Sequence, residues 1–146
     1  MEVQNLRIGN YIQAKYYDED DNEAIELCRV VTLDSVGAAE YPICVESLGS
    51  SGREHYIEFE PVPITEDWLI RFGFEKSKGN FSIDFNLGYL ELEYHVIMDL
   101  WEFNIVNVGD SWDDPVSMPL KSPQFIHQLQ NLYFSLTGEE LVLTDK

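Results

Sequence analysis

Basic residues are scarce: nine Lys and Arg stand against 27 Asp and Glu in 146 residues, a formal net charge of -18. A surface so acidic repels DNA, RNA and anionic membranes at neutral pH and favours basic partners. Cysteine is scarcer still. Cys28 and Cys44 are the two present; both sit in apolar stretches without the paired spacing of a zinc or redox motif, so they read as two buried free thiols. No apolar run approaches the roughly 20 residues that span a bilayer. Met1-Glu2-Val3-Gln4-Asn5-Leu6-Arg7 lacks the basic start, apolar stretch and small-residue cleavage site of a signal peptide. A soluble, cytoplasmic protein is the expectation. Histidine is limited to His55, His95 and His127, none of them in a nucleophile, zinc-protease or metal motif, and a dinucleotide fingerprint is missing too. We therefore expect no catalytic residue, no metal site and no cofactor, and read the chain as a non-enzyme.

What is there suffices to fold. Hydrophobic residues make up 45% of the chain and aromatic ones 13%, which argues against disorder. The length fits a single domain, 1–146, with lobes 1–64 and 65–146 as its internal division. Tyr11 to Tyr17, Ile25 to Leu33, Ile43 to Leu48 and Tyr56 to Pro63 are rich in β-branched or aromatic residues and bounded by turn formers. They predict a small β-barrel-like N-terminal half, with Gly49-Ser50-Ser51-Gly52 as a hairpin loop. A short helix follows, with Thr65 as N-cap, Glu66 and Asp67 at the positive end of its dipole, Ile64 stapled to Leu69, and Gly73 as terminator. Phe81 to Phe85, Tyr89 to Ile97 and Leu100 to Val108 predict an antiparallel meander. A long C-terminal helix, capped by Ser122-Pro123 and ended by Gly138, is expected to pack on the sheet through Phe125, Ile126, Leu129, Leu132, Tyr133 and Leu136. Glu140 to Leu143 suggests a closing strand. The fold class is α+β.

Charge is distributed unevenly. In Tyr89-Leu90-Glu91-Leu92-Glu93-Tyr94 apolar and acidic residues alternate, which sends Glu91 and Glu93 outward. Residues 79 to 120 hold eight acidic side chains and no Lys or Arg. We expect the partner-binding residues here: Glu91, Glu93, Asp99 and Glu102 on the meander, and Asp110, Trp112, Asp113 and Asp114 in a loop whose Trp is suited to anchor an interface. Asp18-Glu19-Asp20-Asp21-Asn22-Glu23 matches the first three ligand positions of a calcium loop, but Glu23 stands where the turn needs Gly and Arg29 where the bidentate Glu belongs. It reads as a solvated loop. Between residues 122 and 138 no charge occurs, leaving the second helix a polar face of Gln124, His127, Gln128, Gln130, Asn131 and Ser135.

Leu6-Arg7-Ile8-Gly9-Asn10-Tyr11, the block from Pro61 to Phe74 (Pro-Val-Pro-Ile-Thr-Glu-Asp-Trp-Leu-Ile-Arg-Phe-Gly-Phe) and that from His127 to Leu141 (His-Gln-Leu-Gln-Asn-Leu-Tyr-Phe-Ser-Leu-Thr-Gly-Glu-Glu-Leu) together resemble a group of small phage and prophage proteins. The resemblance implies a mobile-element source and a bacterial host cytoplasm, and carries no activity onto any residue. With the acidity, it leads to the functional expectation: a phage-encoded inhibitor that acts as a nucleic-acid mimic on a basic, nucleic-acid-binding host defence effector such as a CRISPR nuclease (an anti-CRISPR), without binding nucleic acid or membrane itself. One alternative is an accessory or structural module that self-associates, or binds another phage protein, through the uncharged helix face. The other is a small metal-dependent hydrolase using the acidic loops.

Overall fold

The computed structural model describes residues 5–33, 43–49, 56, 58–86, 88–107, 116–120 and 122–144, with only the backbone of 107 and 116–119. Two antiparallel sheets and two helices give a mixed α+β architecture among these residues. The chain divides into two compact units, Met1–Pro63 with Phe125–Asn131, and Ile64–Gln124 with Leu132–Lys146.

In the first unit Tyr11–Tyr17 (β1) and Glu23–Leu33 (β2) form a hairpin, with Tyr11 opposite Arg29 and Tyr17 opposite Glu23. The acidic run is the turn between them. Asp18 Oδ1 accepts from the backbone N–H groups of Asp20 and Asn22, each at 2.9 Å, while Asp21 sits at φ 59°. A side-chain acceptor of this kind replaces the backbone acceptors that a tight turn lacks. Ile43–Ser47 (β3) pairs with β2 across a bulge between Val30 and Thr32, and Glu58–Glu60 (β4) pairs with β1. The order is β3-β2-β1-β4. Here the expected barrel fails, because the sheet is open, with β3 and β4 on opposite edges. They are not hairpin partners across Gly49-Ser50-Ser51-Gly52, of which residues 50–52 lie outside the described chain. Closure needs long, staggered, tilted strands, whereas β4 has three residues and reaches only Gln13, Ala14 and Lys15 of β1. Leu6, Ile12, Ala14, Cys28 and Val30 form the core, with Val45, Tyr56 and Phe59 packed against it.

The second unit opens with Glu66–Arg71 (α1). Thr65 Oγ1 accepts from Trp68 N–H at 3.4 Å, and Ile64 and Leu69, the two ends of the staple, are both buried. At the far end Gly73 has φ 88°, the Gly73 N–H meets Ile70 O at 2.9 Å and the Phe74 N–H meets Leu69 O at 3.0 Å. These two bonds are the paired closure of a Schellman cap. Glu75–Ser77 (β5), Asn80–Phe85 (β6), Gly88–His95 (β7), Leu100–Asn107 (β8) and Val116–Leu120 (β9) then make a five-stranded meander in sequence order. Lys78 and Gly79, both at positive φ, form the β5–β6 turn, the backbone sense that matches strand twist. Phe81, Leu90, Leu92, Trp101 and Phe103 are buried on the inner face.

The second helix, Ile126–Thr137 (α2), has 12 residues and is shorter than expected. Ser122 and Pro123 do not begin it. Pro63 and Phe125 form a β-bridge and the Ile126 N–H binds Val62 O at 2.8 Å, so backbone pairing holds the chain extended up to Phe125. Gln128 Oε1 turns back to accept from Phe125 N–H at 3.3 Å, half of a capping box. Gly138, at φ 75°, ends the helix as expected. The closing strand does not form: the chain after it is irregular, and Thr144 N–H and Oγ1 both donate to Arg71 O.

Candidate functional site

Strand alternation decides which carboxylates share a surface. With Leu90 and Leu92 pointing inward, Glu91 and Glu93 fall on the outer face of the second sheet, and register places Glu93 directly opposite Glu102 and Glu91 opposite Ser82 and Asn104. The same rows bring in two acids that sequence reading missed. Glu75 lies opposite Ser82, and Asp84 follows two residues along β6 on the same side. With Gly73, Ser82 and Ile83 they line a polar depression. The signal for finding Glu75 and Asp84 was the register, which local periodicity does not contain.

No Lys or Arg is interposed from residue 79 to residue 120. His95 also lies on this face, its Nε2 2.9 Å from Glu102 Oε2. Asp99 belongs to the β7–β8 turn rather than to the face. It sits at φ 51° and accepts a hydrogen bond from the Tyr94 hydroxyl, which holds that phenol above its usual pKa. β7 ends at His95, two residues earlier than Ile97. Val96, Ile97 and Met98 are consequently turn residues, 80%, 100% and 58% exposed. Asp110, Trp112, Asp113 and Asp114 lie outside the described residues.

Elsewhere several acids are ion-paired. In the first unit Lys15 Nζ is 2.7 Å from Glu60 and 3.8 Å from both Glu23 and Glu58. The Glu60 hydrogen bond chiefly holds the Lys15 amine above its usual pKa. Arg29 pairs with Glu46. Glu26 is buried on the core side of β2; its carboxylate accepts from the Ser47 hydroxyl, and from the Tyr56 hydroxyl at 3.2 Å. Burial pushes up the pKa of Tyr56 and of the Cys28 thiol beside it. This favours the protonated, unreactive forms and makes a nucleophilic reading of the cluster unattractive. Cys44, by contrast with the expectation of two buried thiols, is exposed on β3. Among the described residues no group of three His, Cys, Asp or Glu converges in a way that could hold a metal.

The uncharged face of α2 is engaged inside the fold. Gln130 is buried; its Oε1 accepts from the Tyr11 backbone N–H at 2.9 Å and its Nε2 donates to Gly9 O at 3.2 Å. Asn131 bonds the Asn10 side chain at 3.1 Å and Asn5 O at 2.9 Å. His127 is buried against Phe125 with the rings stacked at 6.0 Å, and desolvation depresses its pKa. In the second unit Gln124 binds Trp101 through both backbone groups. A self-association surface built from these side chains would have to break such bonds.

Comparisons with family models, with curated proteins and with solved structures give no match. Among the described residues no helix is long and apolar enough to cross a membrane.

Proposed function

We propose that the protein is a non-enzymatic, acidic interaction protein that occupies the basic nucleic-acid channel of a partner. The observation that carries this reading is the outer face of the meander, where Glu75, Asp84, Glu91, Glu93 and Glu102 are displayed on adjacent strands, of which β6, β7 and β8 carry no Lys or Arg. Carboxylates fixed on a sheet compete for Lys and Arg that otherwise neutralise phosphates, and the resulting association is fast and salt-sensitive. The resemblance to phage proteins makes a host defence effector such as a CRISPR nuclease the partner to test first, with inhibition as the outcome of binding. Asp110, Trp112, Asp113 and Asp114 would extend the contact.

The experiment is capture of nucleic-acid-binding proteins from bacterial lysate at low and high salt, with duplex DNA as competitor. Capture at low salt that both NaCl and DNA reverse, and that Glu91→Lys with Glu93→Lys weakens, supports the reading. If no basic nucleic-acid-binding protein is recovered at either salt concentration, the reading is lost.

A further inference from the structure

The β7–β8 turn presents three large apolar side chains in succession to solvent: Val96, Ile97 and Met98 are 80%, 100% and 58% exposed. Single exposed apolar residues are ordinary, but a contiguous group of them marks a contact surface. The turn is also fixed in shape. Met98 N–H binds His95 O at 3.2 Å, Asp99 holds φ 51° and accepts from the Tyr94 hydroxyl, and His95 meets Glu102 at 2.9 Å just behind. A knob held in place before binding loses less conformational freedom on docking than a mobile loop would.

Its surroundings determine what it can enter. Glu93 and Glu102 lie opposite each other on the strands that lead into and out of it, Asp99 is within it, and together they make up its acidic collar; β7 and β8 carry no Lys or Arg. A second copy of this chain would bring another formal charge of -18 and the same carboxylates to the contact, and an anionic bilayer would repel the collar. We propose that Val96, Ile97 and Met98 form an apolar plug that seats in an apolar pocket of a protein partner whose rim is lined by Lys or Arg, with the carboxylate collar pairing to that rim. This rests on the acidic-surface reading and adds to it an anchor. The acids steer and orient, while the desolvated apolar side chains hold, as interface centres generally do.

The test uses two synthetic helical peptides of equal charge, one with a leucine face edged by lysines and one in which the leucines are replaced by serine. Each is titrated against the full chain and against the Val96→Ser plus Ile97→Ser variant at two NaCl concentrations. Both residues are solvent-exposed, so the variant should fold, and an unchanged melting temperature verifies it. The expected result is that the leucine-lysine peptide binds the parent chain and shifts the methyl resonances of residues 96 to 98, and that the variant loses roughly tenfold in affinity. The serine-lysine peptide should bind both chains alike and weakly. Equal affinity of parent and variant for the leucine-lysine peptide overturns the plug and leaves the acidic reading standing. Failure of both peptides to bind overturns both. A concentration-dependent rise in mass that disappears in the variant would assign the plug to self-association, and binding to anionic vesicles would assign it to a lipid surface; either outcome overturns the proposal.

Discussion

A carboxylate on the core face of a sheet has to be met by donors, and Glu26 is met by the hydroxyls of Ser47 and Tyr56. Removing it takes an acceptor from two half-buried hydroxyls and leaves a void, so Glu26→Ala should cost about 1 to 3 kcal/mol in a urea titration. Glu26→Gln keeps the shape and one acceptor and should cost distinctly less. Equal losses for the two variants would mean that the hydroxyls find other partners. His127 gives a second residue-scale prediction. Desolvation holds its folded pKa below the ordinary 6.5. As pH falls through the unfolded value and towards the folded one, the unfolded chain takes up the proton first, so this group's contribution is complete above about pH 6.5 and is lost below it. The difference in denaturation midpoint between the parent and His127→Leu, followed from about pH 7.5 to pH 5, should therefore move against the parent as acid is added. Parallel profiles would show that protonation of His127 is not linked to folding.

At the scale of elements, the β7–β8 hairpin carries a conflict between stability and binding. Glu93 and Glu102 are directly opposite, an arrangement that costs a sheet a few tenths of a kcal/mol to about 1 kcal/mol relative to opposite charges. Glu93→Lys should raise the melting temperature and weaken binding to a basic partner in the same protein; a variant that gains stability and keeps its affinity would remove Glu93 from the contact. What could be read from sequence follows a related division. Helix α1 was legible because Thr65, Glu66, Asp67, Gly73 and the Ile64–Leu69 spacing are all local signals; the structure realises the cap, the acidic first turn and the glycine terminator, and buries both Ile64 and Leu69. Helix α2 was misread at its start because Ser122-Pro123 is a sound local cap, whereas the bridge from Phe125 to Pro63 links residues far apart in sequence. The burial of Glu26 was hidden for a similar reason. Apolar residues occur on both parities of β2, with Ile25 and Leu27 on one and Cys28 and Val30 on the other. Which parity goes inside is settled by register with Ile12 and Ala14, the small Ala14 lying opposite Glu26. The acidity of the outer face was legible in residues 89 to 94, while its extension to Glu75 and Asp84 and the apolar turn at 96 to 98 depend on where strands begin, pair and end.

For the whole molecule, the balance between paired and free acids sets how stability responds to salt. The described pairs involve Lys15 with Glu23, Glu58 and Glu60, Arg29 with Glu46, and Lys76 with Glu66. Nine Lys and Arg cannot neutralise 27 Asp and Glu, so most carboxylates repel one another, and they do so more strongly in the compact state than in an expanded chain. Salt acts on both terms. It weakens exposed ion pairs, which are worth about 0 to 1 kcal/mol each, and it screens the repulsion among all the remaining acids over a Debye length of about 8 Å at physiological ionic strength. Because the repulsive pairs outnumber the attractive ones, the second effect should win and the melting temperature should rise with NaCl. Tetramethylammonium chloride at equal ionic strength should raise it by a similar amount, since screening depends on charge and concentration rather than on cation size. A much larger effect of Na⁺, or of Mg²⁺ at matched ionic strength, would point to specific cation sites among the acids. A melting temperature that falls as NaCl is added would mean that the carboxylates are mainly engaged in internal pairs, and the free acidic face required for docking on a basic channel would not exist.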